Sequence, residues 1–192
     1  MKNNKNIKRV WDNQVPVYKN KTNKSIDAYL TDCIREPYYY SELYHLLLTA
    51  DKETSFNIHL NTPGGIIDSA FMLSNAIKQS KAYTTCFLSG TVASAGTLIA
   101  LSCEHLEALP HLSFMIHNYS GGMEGKGHEM KARQKFTDEH LNEAFSEFYS
   151  GFLTEQEMNN VIDGLDIWMG SKEVTERWNN RVNLLKDTVS NN

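Results

Sequence analysis

Three side chains of complementary chemistry, Ser94, His117 and Asp166, lie far apart in the chain, each beside an apolar or small-residue run. A hydroxyl is a weak nucleophile until a base takes its proton, and a histidine serves as that base best when a carboxylate holds its ring. Ser94 sits in Gly90-Thr91-Val92-Ala93-Ser94-Ala95-Gly96, where small neighbours leave the hydroxyl open and the following amide available to an oxyanion. The common hydrolase elbow carries glycine two residues before its serine, and Val92 stands there instead. Serine is also a frequent helix cap, and Ser89 and Thr91 compete for the same role. His117 ends the strand-like Phe114-Met115-Ile116, an edge position where a histidine can equally be a simple hydrogen-bonding group. Asp166 lies between Leu165 and Ile167 and next to Trp168, so a carboxylate buried there needs a partner. Asp163 is its rival, although it reads as a solvated residue near a helix end.

A fourth signal is Asn61-Thr62-Pro63-Gly64-Gly65. Paired glycines let the backbone turn sharply and approach a ligand, with amides facing an anion. The pattern matches neither a dinucleotide fingerprint nor a phosphate loop, and a plain tight turn explains it equally well. His45, His59, His105, His111, His128 and His140 are scattered without ligand-like spacing. There is no HExxH and no pair of closely spaced cysteines, so neither a metal nor an organic cofactor is expected.

The elements that must hold these groups alternate in type. Strands are expected at Ser25 to Leu30, around Phe56, Ile58 and Leu60, at Tyr83 to Leu88 and at Leu112 to Ile116. Helices are expected from Pro37 to Leu48, from Ile66 to Ile77, and at about Ser94 to Ser102. After the glycines at 121, 122, 125 and 127, a long charged helix should run from about His128 to Tyr149. Thr154 and Glu157 have capping-box spacing and should open another. Strand–helix alternation of this kind argues an α/β fold.

With 192 residues, 41% hydrophobic, the chain is long enough for one domain with a real core, placed at residues 25–192. Residues 1–24 read as a basic, Asn-rich flexible segment, with seven basic residues against Asp12. A nucleic-acid arm is the sharper reading of that segment, but it has few aromatics for stacking, and the net charge of −4 gives no general reason to expect nucleic acid. No secretory signal or bilayer-length apolar run is evident, so no membrane role is expected. Cys33, Cys86 and Cys103, odd in number and among apolar neighbours, are expected as buried free thiols in a cytoplasmic setting.

Taken together and in order, Asn-Thr-Pro-Gly-Gly at 61–65, Gly-Thr-Val-Ala-Ser-Ala-Gly at 90–96, Phe-Met-Ile-His at 114–117 and Gly-Leu-Asp-Ile-Trp-Met at 164–169 resemble the signature regions of the Clp protease proteolytic subunit family. The resemblance covers about Ser25 to Val174. It implies the α/β fold shared by Clp proteases and crotonases, with repeated strand–helix units and a protruding strand–helix handle near 118–150. Position by position it makes Ser94 the nucleophile, His117 the base and Asp166 the orienting carboxylate, with oxyanion amides at Gly65 and Ala95. Ile66 and Met123 are candidates for the substrate groove from their proximity in sequence to these groups. The implied activity is serine endopeptidase cleavage of peptides or unfolded proteins inside a homo-oligomeric ring, two rings stacking. An ATP-driven AAA+ unfoldase would deliver folded proteins.

Three features depart from the family pattern. Leu165 replaces an arginine thought to couple assembly to activity, Tyr119 replaces a proline, and Trp178-Asn179-Asn180-Arg181 replaces a glycine-containing turn into a last strand. The competing classes are an assembly protein that kept the fold without proteolysis and an acyl-CoA hydratase or isomerase that stabilises its oxyanion with paired amides. A related peptidase with a lysine base, at Lys126 or Lys131, is a further alternative.

Overall fold

In the computed structural model, which describes residues 14–190, a seven-stranded sheet carries the helices. Strands β1 (Val17–Asn20), β2 (Ser25–Leu30), β3 (Ser55–Thr62) and β4 (Tyr83–Ala93) lead to β5 (His105–Ala108), β6 (Ser113–Ile116) and β7 (Ile167–Gly170). Helices α1 (Ser41–Thr49), α2 (Ile67–Gln79), α3 (Ala95–Ala100), α4 (Gly127–Phe148), α5 (Glu155–Ile162) and α6 (Ser171–Ser190) alternate with them. A short 3-10 turn, Pro37–Tyr40, precedes α1. Of the basic N-terminal stretch, residues 1–13 lie outside the described residues, and Val17–Asn20 pair antiparallel with β2.

Period-two patterning builds the central strands. Phe56, Ile58 and Leu60 of β3 are buried while Asn57 and His59 are half-buried, and Cys86 and Leu88 repeat the pattern on β4. The buried face is filled from α1, α2 and α3 by Leu43, Leu47, Leu73, Ile77, Leu98 and Ile99. Helix α3, made of small and apolar residues, is buried along its whole length. The other face is more open, and there Tyr29, His59 and Phe87 stack across three strands at 4.4 and 5.1 Å. His59 hydrogen-bonds Asp27 at 3.1 Å on this polar side.

The sheet order is β1-β2-β3-β4-β6-β7, with β5 also on β4. Strand β4 is long enough to serve two neighbours on one edge, β5 along Thr85–Leu88 and β6 along Thr91–Ala93. β2, β3, β4 and β6 run parallel, so β3, β4 and β6 deliver their carboxyl ends to one side, where ligands bind in open α/β sheets. Strand β7 returns antiparallel to β6.

Several expectations change in detail. No strand is expected from sequence at β1, β5 or β7, and β1 falls within the segment 1–24 expected to be flexible; the region after Val174, where the family pattern fails, forms α6. Val174 and Trp178 are buried and Val182 half-buried along one face of that helix, which gives it a reason to be helical. Cys33 is exposed, while Cys86 and Cys103 are buried, and all three are free thiols. Where a strand–helix handle is expected, the helix α4 is present and residues 118–126 are irregular in the single chain. A strand there would need a partner for its backbone groups, and none of this chain's described strands pairs with it.

Candidate active site

Strand β4 carries Ser94 to the end of the sheet. The β4–β6 ladder runs to Ala93 opposite Met115, and the Ser94 amide extends it by donating to Met115 O at 2.9 Å. The chain then reverses: Ser94 takes φ 54° and ψ −128°, and α3 starts at the next residue. A non-glycine residue at positive φ is uncommon, and such strain concentrates at functional sites. Ser94 does stand at the N-cap position of α3, as the helix-cap reading has it, but its hydroxyl makes no capping bond. Ser94 Oγ instead lies 2.7 Å from His117 Nε2, which β6 delivers one residue beyond its last paired position. The competitors face elsewhere: Ser89 donates to Leu60 O at 3.4 Å, and Thr91 does not line the cavity around Ser94.

The glycine turn after β3 closes on this serine. A Cβ on Gly64 would stand 2.5 Å from Ser94 Cβ, so only glycine permits the approach. Gly65, at φ 145°, has Ile34 O where its Cβ would be, at 2.2 Å. Ile34 N donates to Gly64 O at 2.8 Å, and Ile66 N donates to Ile34 O at 2.9 Å. A peptide is planar with its C=O and N–H opposed, so the first of these bonds turns the Gly65 amide away from Ile34. Neither the Gly65 nor the Ala95 amide donates a hydrogen bond among the described residues. Both residues line the Ser94 cavity. Two open amides beside a serine paired to histidine can stabilise the oxyanion of acyl transfer.

Asp166 occupies a different environment from the one its apolar neighbours suggested. It is exposed, as are Leu165 at 57% and Trp168 at 59%, because β7 is the last strand of the sheet. The antiparallel register pairs Ile116 with Ile167, so the next position across the ladder sets Asp166 opposite His117. No hydrogen bond or ion pair joins the two side chains in the single chain, whereas Ser94 and His117 are in contact. Asp163 is the C-cap residue of α5 and is exposed.

The cavity, of about 740 Å³, is lined by Gly65, Ser94, Ala95 and His117, and also by Ile66 and Met123. Its far wall is α4, through Gln134, Leu141 and Phe145. Tyr119 ties the loop after His117 to that helix by donating its hydroxyl to Asp138, with Gln134 bonded to both. Thr97 and Tyr149 escape sequence reasoning, since they meet across 52 residues and no local pattern marks them, and Tyr119 stands out in sequence only as a replacement for proline, not for its bond to Asp138. Asn61, part of the glycine-turn motif in sequence, accepts from Thr91 N at 3.1 Å through its side chain where the β3–β4 register shifts. Lys126 and Lys131 do not line the cavity, so neither is placed as a lysine base. Among the described residues no group of His, Cys, Asp or Glu is arranged to hold a metal ion.

An open α/β sheet ending in a serine–histidine pair, with glycine-cradled amides beside it, has the groups that acyl transfer of the serine-hydrolase kind requires. Residues 38–177 match the profile of the Clp protease family, which is most of the chain, and the chain belongs to that family. It is 32% identical over 133 residues to the ATP-dependent Clp protease proteolytic subunit 3 of Rhizobium meliloti, covering 66% of each chain. The subunit 3 of Rhizobium etli is 29% identical over 136 residues, covering 67% of this chain and 68% of that one. Thus the chain matches about two thirds of the length of these relatives. A solved structure of a mutant ClpP1 from Listeria monocytogenes superposes with a TM-score of 0.60, covering 79% of this chain and 86% of that chain at 21% identity. That likeness concerns the fold.

Proposed function

We propose that this chain is a serine endopeptidase subunit of the Clp type, with Ser94 as nucleophile, His117 as general base and Asp166 as the carboxylate that orients it. The observation that carries the reading is the 2.7 Å contact between Ser94 Oγ and His117 Nε2 in a cavity with two unengaged amides. His117 Nε2 accepts the serine proton as Oγ attacks the peptide carbonyl. The amides of Gly65 and Ala95 receive the oxyanion, each such donor contributing on the order of 3 kcal/mol to the transition state. His117 then protonates the leaving amine, and water releases the acyl group by the same route in reverse. Peptide hydrolysis by this route consumes no ATP. Ile66 and Met123, which line the cavity, bound the groove for the substrate chain.

The subunits form a ring enclosing the active sites, two rings stacking through the handle, and an AAA+ unfoldase feeds folded substrates. Membership of the Clp family, and the naming of the relatives as proteolytic subunits of an ATP-dependent Clp protease, support this arrangement. The setting is cytoplasmic, in keeping with three free cysteines. Among the described residues no helix is long and apolar enough to cross a membrane.

One observation favours a second reading. Asp166 is exposed and does not contact His117, as in an assembly protein whose catalytic set has lapsed. Labelling with a serine-directed phosphonate separates the two. Stoichiometric modification of Ser94 in assembled protein supports the peptidase, and an unreactive Ser94 supports the assembly protein.

A further inference from the structure

Behind the Ser94 turn, two buried hydroxyls form a chain that the proposed mechanism does not use. Thr97, in the first turn of α3, donates its hydroxyl to Ser94 O at 2.7 Å and its amide to the same oxygen at 2.9 Å. Its one hydroxyl hydrogen is committed there. In the 2.7 Å contact between Thr97 Oγ1 and Tyr149 Oη, tyrosine is therefore the donor. Tyr149 caps the C-terminus of α4, and its ring lines the Ser94 cavity. Burial pushes its phenol well above the ordinary range, so it keeps its proton at neutral pH.

A threonine bonding back to a carbonyl one turn earlier is ordinary in helices. Here the carbonyl belongs to the residue at φ 54°, and the second hydroxyl comes from another element, 52 residues away. Ser94 C=O and Ala95 N–H share one peptide plane and point in opposite directions. Holding the carbonyl from behind thus aims the Ala95 amide into the cavity. The Gly65 amide is aimed in the same way, but by a backbone donor alone, Ile34 N on Gly64 O.

The geometry points to Thr97 and Tyr149 as positioning residues that fix the Ala95 oxyanion amide, and so join the packing of the handle helix to the nucleophile's own peptide. The proposal rests on the reading of Ser94 as nucleophile. It makes the end of α4 part of the apparatus that keeps the site competent: a shift of Tyr149 releases the hydroxyl chain and lets the Ser94–Ala95 peptide rotate.

The test compares Tyr149→Phe, Thr97→Val, Thr97→Ser and the Phe–Val double variant with the parent in the assembled full chain. Fluorogenic peptide hydrolysis, the rate of phosphonate labelling at Ser94 and thermal midpoints are measured on each. Tyr149→Phe and Thr97→Val should lower kcat on the order of tenfold to a hundredfold with little change in KM, as a small misplacement of a transition-state group does. Phosphonate labelling should slow in step. Thr97→Ser, which restores the hydroxyl, should recover most of kcat. The double variant should be no slower than Thr97→Val, because Tyr149 acts through Thr97. Parental kcat in Tyr149→Phe with only a lower thermal midpoint overturns the proposal, and so does equal kcat in Thr97→Ser and Thr97→Val. The two Thr97 variants decide the matter if Tyr149→Phe does not fold. Ser94→Ala separates the levels: retained hydrolysis sinks the nucleophile reading, whereas an inactive Ser94→Ala beside a fully active Tyr149→Phe sinks the positioning chain alone.

Discussion

Ser94 is held at φ 54° by groups on three sides: Met115 O on its amide, Thr97 on its carbonyl and Gly64 against its Cβ. Conformations of this kind cost about 1–3 kcal/mol and persist only where the surroundings over-determine them. The two glycines are the most exacting of those surroundings. Gly65→Ala would drive a Cβ into Ile34 O, so the amide must move. We predict that kcat falls on the order of a hundredfold to a thousandfold, the range for a lost oxyanion donor. Stability should fall by more than about 1 kcal/mol, as expected where alanine cannot adopt the native φ, and denaturant unfolding would register it. The thiols give a second check at this scale. Cys33 is exposed, whereas Cys86 and Cys103 are buried and burial pushes the Cys86 thiol up. A maleimide should modify one cysteine in the folded protein and three after denaturation, counted by mass spectrometry. Ser94, His117 and the glycine pair were legible in sequence because each sits at a strand end in an ordered set of motifs. The surroundings of Asp166 were not, since apolar neighbours signal burial and cannot reveal that β7 is an edge strand.

The joint between α5 and α6 shows what holds the second half of the chain. Glu157 completes the capping box with Thr154 and also receives two hydrogen bonds from Arg177 of α6, at 2.9 and 2.6 Å. Arg177 additionally donates to Phe152 O and Glu173. The Arg177 guanidinium, assisted by Thr154, holds the Glu157 carboxyl down at about 2, against an ordinary value of 4.5. A carboxyl depressed by folding adds stability that is complete above its ordinary value and is lost as pH falls through its folded one. Arg177→Gln should therefore lower the thermal midpoint near neutrality by about 2–4 °C, the shift that a loss of about 1 kcal/mol gives in a domain of this size. The difference should close between about pH 4.5 and pH 2, as the folded carboxyl is protonated. Scanning calorimetry of both proteins across that range tests it. The α5 start was readable from Thr154 and Glu157 alone. Strands β1, β5 and β7 were not, being four residues each and lacking clear alternation. Helix α6 was obscured by the family pattern, although Val174, Trp178 and Val182 recur at helical spacing.

At the scale of the molecule, three parallel strands end together and bring residues 65, 94 and 117 to one cavity. Asp166, the proposed orienting carboxylate, is exposed beside Leu165 and Trp168 at the edge of the sheet. On the proposed reading, assembly of the subunits is the step that brings it to His117, and a solitary subunit should hydrolyse peptides poorly. Dilution below the assembly range, followed by light scattering beside the peptide assay, should show activity falling with the ring. Architecture of this order was legible from strand–helix alternation and motif order. The irregular course of 118–126 was not, because a strand forms only where it finds a partner. The most direct test of the central claim is hydrolysis of short fluorogenic peptides by the size-fractionated, assembled protein and by Ser94→Ala in parallel. Activity that follows the ring fraction and vanishes in the variant is the predicted result. Equal hydrolysis by both proteins, or none by assembled parent protein, contradicts it.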